Sequence, residues 1–276
     1  MLSFTITTSQ NKFQQLQKQI FQIMPTRTGF INSLKFNQVL TPTKILLHTG
    51  YDVIPFKEEI FNSSSYQIEL LKSYFEVCQR LNVCQLLIHG PDKPDTMKYF
   101  TAGLNIIKDT FSNSIVNNSN LKIAIEMPAF CKSMWNIIKH EDIYDFTLSY
   151  FNEIVKVGFD IIIDTAHLFS NGLTTQQIID ILELFKNNYT FIHLNGNSHS
   201  MYKPDKHTTL TPCEGYETNL IPNSDKLLEK VSDLMNKYNK ICISEQKCTN
   251  IEYFNNLAKQ YNFKLNDSIG IDKLII

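Results

Sequence analysis

Short apolar runs alternate along the chain with stretches whose apolar residues recur at helical spacing, the pattern of a repeated strand–helix unit. Strands are predicted over residues 2–7, Phe21–Met24 (cut off by Pro25), Ile45–His48, Gln85–His89 (closed by Gly90-Pro91), Lys122–Glu126 (closed by Pro128), Phe159–Ile163, Thr190–Leu194 and Lys240–Glu245. Between the first two, Phe13, Leu16 and Ile20 mark a helical face. The clearest later helices are predicted over Tyr66–Arg80, Ser133–Val157, Thr175–Asn187, Ser224–Asn239 and Asn250–Tyr261. The sixth strand is a β-branched run bounded by a glycine behind and polar residues ahead, which suits the centre of a sheet covered on both faces. Eight strand–helix pairs of roughly 35 residues each, with no linker and no spare domain, predict an α/β fold: one (β/α)8 TIM barrel spanning residues 1–276.

The polar residues that end these strands change the picture. The third strand finishes on His48, the fourth on His89, the fifth on Glu126, the sixth opens onto Asp164, the seventh reaches His193 and the eighth Glu245. In a barrel these ends meet at one mouth, the C-terminal face where active sites lie. An Asp after a strand is often only the N-cap of the next helix, and a lone His after an apolar run is usually a satisfied core or loop histidine. Six ligand-type residues side by side are another matter, because burying several carboxylates and imidazoles costs too much unless cations neutralise them. His167 follows Asp164 after two small residues, and the irregular segment after the seventh strand adds Asp205-Lys-His207. Five of the seven histidines occupy these positions, leaving His140 and His199 outside. Five imidazoles and four carboxylates without a thiolate suit zinc, with manganese or iron compatible. Nine ligands exceed one ion's needs and suffice for three, an arrangement that serves phosphoryl chemistry.

Composition narrows the partners. With 43% hydrophobic and 12% aromatic residues the chain buries a large core, and a formal net charge of −1 offers no global attraction to nucleic acid, so any polyanion must be drawn locally or by bound cations. The six cysteines are scattered without a CxxC pair, which points to a reducing, intracellular compartment. No stretch approaches the apolar length of a membrane span or secretory signal, and no P-loop or dinucleotide fingerprint is present, so neither a membrane nor a nucleotide cofactor is expected. Without a heptad seam, a monomer is the default.

The motifs His48, His89-Gly, Ile125-Glu126, Asp164-Thr-Ala-His167, His193-Leu-Asn195, Asp205-Lys-His207 and Glu245 resemble, in order and spacing, the ligand motifs of the endonuclease IV family of apurinic/apyrimidinic endonucleases, including its short viral members. The resemblance runs from His48 to Glu245 and implies a TIM barrel holding three zinc ions that incises double-stranded DNA 5′ to an abasic site, leaving a 3′-hydroxyl and a 5′-deoxyribose phosphate. It implies that His48, His89 and Glu126 hold the first ion. Glu126 then bridges to a second held also by Asp164, His193 and Glu245, and His167, Asp205 and His207 hold the third. It further implies attack by a hydroxide generated between the first two ions, no protein nucleophile, and Glu126 as the catalytic residue to test. Tyr51 stands where the family inserts a tyrosine into DNA, Arg27 resembles its stack-filling arginine, and Lys206 lies where the family has a phosphate-contacting arginine; Lys203 is a weaker candidate.

The sequence departs from the family at Gly196, where an Asp usually follows His-Leu-Asn, at Asp52, where an apolar wedge is common, and over its first fifty residues. Two other readings stay open. A single-metal sugar isomerase or epimerase would use Glu126, Asp164, His193 and Glu245 and leave the other five ligand types without a task. A non-catalytic protein that binds abasic DNA would keep the ligands as structural metal sites.

Overall fold

The computed structural model describes residues 2–6, 21–23, 45–49, 53–62, 65–80, 83–114, 120–245 and 251–263. Its strands are β1 (Leu2–Ile6), β2 (Phe21–Ile23), β3 (Ile45–His48), β4 (Gln85–His89), β5 (Lys122–Glu126), β6 (Asp160–Ile162), β7 (Phe191–His193), β8 (Gly196–Asn197), β9 (His207–Thr208) and β10 (Ile241–Ser244). Its α-helices are α1 (Tyr66–Arg80), α2 (Pro94–Met97), α3 (Phe100–Ser114), α4 (Lys132–Trp135), α5 (Ile143–Val157), α6 (Thr165–Ser170), α7 (Thr175–Leu184), α8 (Ser224–Tyr238) and α9 (Ile251–Tyr261). All eight predicted strands are present, and β8 and β9 form a small antiparallel hairpin in the segment read as irregular. The predicted helix before β2 lies outside the described residues.

The chain forms two compact units, one of Ile6–Pro128 with Ser149–Ile161, the other of Met1–Thr5, Ala129–Leu148 and Ile162–Ile276. In the first, β2, β3, β4 and β5 pair in parallel, with Phe21 beside Ile45, Leu47 beside Leu86 and His89 beside Glu126. Leu47, Leu86, Leu87, Ile88, Ala124 and Ile125 are all fully buried, so consecutive residues facing opposite ways are both covered, as parallel strands require. Each buried Leu or Ile contributes about 1.5–3 kcal/mol. Helices α1 and α3 supply Leu71, Tyr74, Phe75, Leu104 and Ile107 to this core, and Phe75 meets Phe111 edge-on at 5.4 Å. At the opposite ends of the strands from His89 and Glu126, the Gln85 amide donates to Asp160 at 2.8 Å and Lys122 pairs with the same carboxylate at 3.3 Å.

In the second unit β1, β10 and β7 pair in parallel, with Leu2 beside Cys242 and Ile243 beside His193. His193 N–H donates to the Ile163 carbonyl at 3.0 Å, and a parallel bridge joins Asp164 to His193. Helices α7 and α8 pack against each other and bury Ile178, Ile181, Leu182, Leu228, Val231 and Met235. A capping box starts α7: Thr174 Oγ1 accepts from Gln177 N–H at 3.3 Å while Gln177 Oε1 accepts from Thr174 N–H at 2.9 Å.

One element differs in kind from expectation. The helix predicted over Ser133–Val157 is three pieces: α4, a 3-10 turn at His140–Asp142, and α5. Trp135, Ile137 and Ile138 imitate a helical face, but Ile137 is 63% exposed, so no core rewards a continuous helix there, and Lys139 is extended.

Candidate metal centre

Every ligand-type residue predicted at a strand end lies at or just beyond the C-terminal end of its strand. In the first unit the β4–β5 register sets His89 beside Glu126, and His48 closes β3 next to them. The His48 and His89 rings lie 4.5 Å apart at 60°, and their Nε2 atoms stand 3.4 and 3.3 Å from the same oxygen, Glu126 Oε2. His48 Nδ1 is 2.7 Å from the Thr49 carbonyl. A carbonyl only accepts, so Nδ1 donates to it and Nε2 is the ring atom that faces the carboxylate. Around a four-coordinate zinc with bonds of about 2.0–2.2 Å, neighbouring ligand atoms lie roughly 3.3–3.6 Å apart. The spacing of this trio fits a cation, and a carbonyl holding the distal ring nitrogen is the usual support of a metal-binding imidazole. His48 and Glu126 are buried, which an isolated anionic carboxylate could not sustain cheaply.

Gly90 fastens the trio. Its N–H donates to the Glu126 carbonyl at 2.8 Å, and a Cβ on it would come within 1.7 Å of the Tyr150 hydroxyl oxygen. Burial first, then the carboxylates of Asp92 and Glu126, push that phenol well above its ordinary range and keep it neutral.

In the second unit Asp164, fully buried, divides its carboxylate between two tasks. Oδ1 caps α6 by accepting from Ala166 and His167 N–H at 2.7 and 3.1 Å. Oδ2 lies 3.7 Å from His193 Nδ1 and 3.6 Å from His207 Nε2, and His193 Nδ1 is 3.4 Å from Glu245 Oε2. Asp205 Oδ2 stands 3.0 Å from His207 Nε2 and 3.7 Å from His167 Nε2. Asp164, His193 and Glu245 thus gather around one space, and His167, Asp205 and His207 around another that shares the Asp164 oxygen. Ligand atoms of Asp164, His167 and His207 all lie within 4.8 Å of one another.

Without a cation these groups neutralise each other. Burial opposes protonation of His207, but the carboxylate of Asp164, the hydrogen bond to Asp205 and the charge of Glu245 outweigh it and raise the imidazole to about 10. Burial likewise disfavours the Asp205 anion, yet the His207 hydrogen bond and the charge of His167 bring its carboxyl down to about 2. A divalent cation would replace the protons that do this work.

The β8–β9 hairpin places Asp205 and His207. Asn197 Oδ1 accepts from His199 and Lys206 N–H, each at 3.0 Å, and Ser198 N–H donates to the Lys206 carbonyl at 3.0 Å. A Cβ at Gly196 would lie 2.7 Å from the Thr209 carbonyl oxygen, so the Asp expected at that position has no room, and a buried Asn197 supplies polar contacts one residue later. Lys206 forms an ion pair with Glu217. The Lys203 carbonyl accepts from Ser170 Oγ. Tyr51, Arg27 and Asp52 lie outside the described residues.

The sequence reading missed Asn195, Thr165 and Asn197 as buried polar supports. The one available signal was spacing: Asn195 stands two residues after His193, hence on the same side of an extended chain.

No protein-family model matches the chain, and no curated protein matches it in sequence. Solved structures do resemble it. Endonuclease IV from Thermus thermophilus is 13% identical with a TM-score of 0.63, covering 95% of this chain and 97% of that one. A D-tagatose 3-epimerase-like protein is 16% identical with a TM-score of 0.60, covering 95% and 98%. An IOLI protein crystallised with a zinc atom is 12% identical with a TM-score of 0.52, covering 95% and 96%. At such identities the likeness speaks to fold alone: the chain is an α/β protein with a parallel sheet, and the structures it resembles are xylose isomerase-like TIM barrels. The structures it resembles are enzymes of more than one chemistry, and no helix among the described residues is long and apolar enough to cross a membrane.

Proposed function

We propose that this protein is a metal-dependent phosphodiesterase of the AP endonuclease type, a single (β/α)8 barrel of residues 1–276 that incises double-stranded DNA 5′ to an abasic site and trims blocked 3′ ends. The observation that carries the proposal is the number of carboxylate–imidazole groups. His48, His89 and Glu126 make one; Asp164, His193 and Glu245 make a second; His167, Asp205 and His207 make a third. Each would hold one cation, zinc by donor chemistry, at the spacing described above. Bound there, such cations acidify water and neutralise charge on a scissile phosphate. The chain's own contribution is orientation: the His48 ring is fixed by Thr49, the Asp164 carboxylate by the start of α6, and Asp205 with His207 by the hairpin. Lys206, Tyr51 and Arg27 are the proposed DNA contacts. The endonuclease IV likeness supports this reading at the level of fold.

The likeness to a D-tagatose 3-epimerase-like protein favours a second reading, proton transfer on a sugar around one ion. That reading gives the His167–Asp205–His207 group nothing to do. A duplex carrying one tetrahydrofuran abasic analogue separates the two. The expected result is cleavage on its 5′ side with a 3′-hydroxyl end, lost on prolonged chelation, restored by zinc and abolished in Glu126→Gln. Metal-loaded protein that holds one ion and leaves the strand intact would overturn the proposal.

A further inference from the structure

Asn195 is fully buried and is not itself a ligand type, yet it touches two elements that carry ligands. Its Oδ1 accepts from the Glu245 backbone N–H at 3.0 Å. A backbone N–H can only donate, so this contact fixes which way the amide lies, and the Nδ2 group is left to donate to Asp164 Oδ2 at 2.7 Å. The backbone of Asn195 is held in turn by Thr165. Its N–H donates to Thr165 Oγ1 at 3.0 Å, and Thr165 Oγ1 donates to the Asn195 carbonyl at 2.5 Å. Thr165 is also fully buried. The end of β7, the turn that carries Asp164 and the end of β10 are therefore joined through one amide side chain and one hydroxyl.

We propose that Asn195, locked by Thr165, is the positioning residue of the Asp164–His193–Glu245 group: it aims Asp164 Oδ2 and sets the Glu245 backbone, so that the group is shaped before any cation arrives. The charge of Asp164 makes the first contact more than a packing detail, since a hydrogen bond to a carboxylate both orients it and adjusts its strength as a donor. A direct substrate contact does not fit the amide, because at 0% exposure it cannot reach a ligand in solvent. The inference rests on the metal-centre reading above, although its test needs no DNA.

The test is zinc titration of chelator-stripped protein against a chromophoric competitor, with cobalt(II) absorption as a report on ligand geometry. Asn195→Ala is expected to weaken one class of zinc site by about 10- to 100-fold and to alter the cobalt spectrum. Thr165→Ala should do the same in smaller measure, and Thr165→Ser, which keeps the hydroxyl, should restore wild-type affinity. A merely structural role would lower the melting temperature of the stripped protein while leaving affinity and spectrum as they were. Folded Asn195→Ala that binds zinc like wild type overturns the proposal. Should that variant fail to fold, equal zinc affinity in Thr165→Ala and Thr165→Ser does so instead. Failure to cut abasic DNA would strike the phosphodiesterase reading alone, because zinc binding is measured without it.

Discussion

Gly90→Ala is the substitution whose cost can be worked most directly from the structure. The new methyl carbon would sit 1.7 Å from the Tyr150 hydroxyl oxygen and 3.1 Å from the Glu126 carbonyl oxygen, where ordinary contacts begin at 3.4 Å. The phenol cannot simply swing aside, since it is buried and stacked on Phe100 at 4.3 Å with Phe151 edge-on at 6.0 Å. The strand end cannot yield freely either, because Gly90 N–H is bonded to the Glu126 carbonyl. Overpacking of this kind costs about 1–3 kcal/mol, and the depth of the overlap places Gly90→Ala near the upper end. Deleting the hydroxyl relieves most of it, since in Tyr150→Phe the nearest remaining atoms are the ring carbon at 3.0 Å and the carbonyl at 3.1 Å. Alone, Tyr150→Phe should change stability by no more than about 1 kcal/mol. The double variant should therefore be more stable than Gly90→Ala, with a coupling of about 1–2 kcal/mol in the cycle. Urea unfolding of chelated protein followed by far-UV circular dichroism measures all four species. Gly90→Ala within about 0.5 kcal/mol of wild type, or no rescue by Tyr150→Phe, would refute the reasoning.

Other consequences are open to test. In chelated protein the raised His207 imidazole contributes stability that is complete below its unfolded value of 6.5 and is lost as pH climbs toward about 10, so unfolding free energy should fall across that window and the fall should shrink in His207→Asn. The lowered Asp205 carboxyl works in the opposite direction, adding stability above 3.8 that disappears as pH drops toward about 2. Glu217→Gln should free Lys206, tightening duplex DNA binding at low salt and steepening the log–log salt dependence by about 0.9, a change that fluorescence anisotropy would detect. Since that ion pair is half exposed, melting temperature should barely move. Thr174→Ala removes the α7 cap and should cost about 1 kcal/mol in urea unfolding without altering zinc stoichiometry.

The central strands were legible because parallel strands covered on both faces need unbroken apolar runs, and Leu86-Leu87-Ile88 or Ile161-Ile162-Ile163 can hardly be anything else. Six of the nine candidate ligand positions stand out in the sequence for a related reason: they are where such runs stop. The break between α4 and α5 was not, since Ile137 carries the periodicity of a buried face but has none to meet. Nor was the hairpin, whose strands are two residues each and whose geometry rests on the Asn197 side chain and the absence of one at Gly196. Lys206 was read as free for phosphate because its partner Glu217 stands eleven residues away on no recognisable pattern.

Asp164 shows why the remaining ambiguity could not be resolved from sequence. An N-cap and a metal ligand are competing explanations only while the carboxylate is treated as one group. Its two oxygens are chemically separate acceptors, and here Oδ1 satisfies the first turn of α6 while Oδ2 faces His193 and His207. The cap is then part of the site, because two backbone N–H bonds to one oxygen restrict rotation about the carboxylate and leave the other aimed. Asn195 completes the restriction from the opposite side. An amide acting in this way alters neither charge nor hydrophobic pattern, so its spacing from the strand-end histidine is the one mark it leaves in the sequence. Buried amides two residues beyond a strand-end histidine are therefore where supports of this kind should be sought.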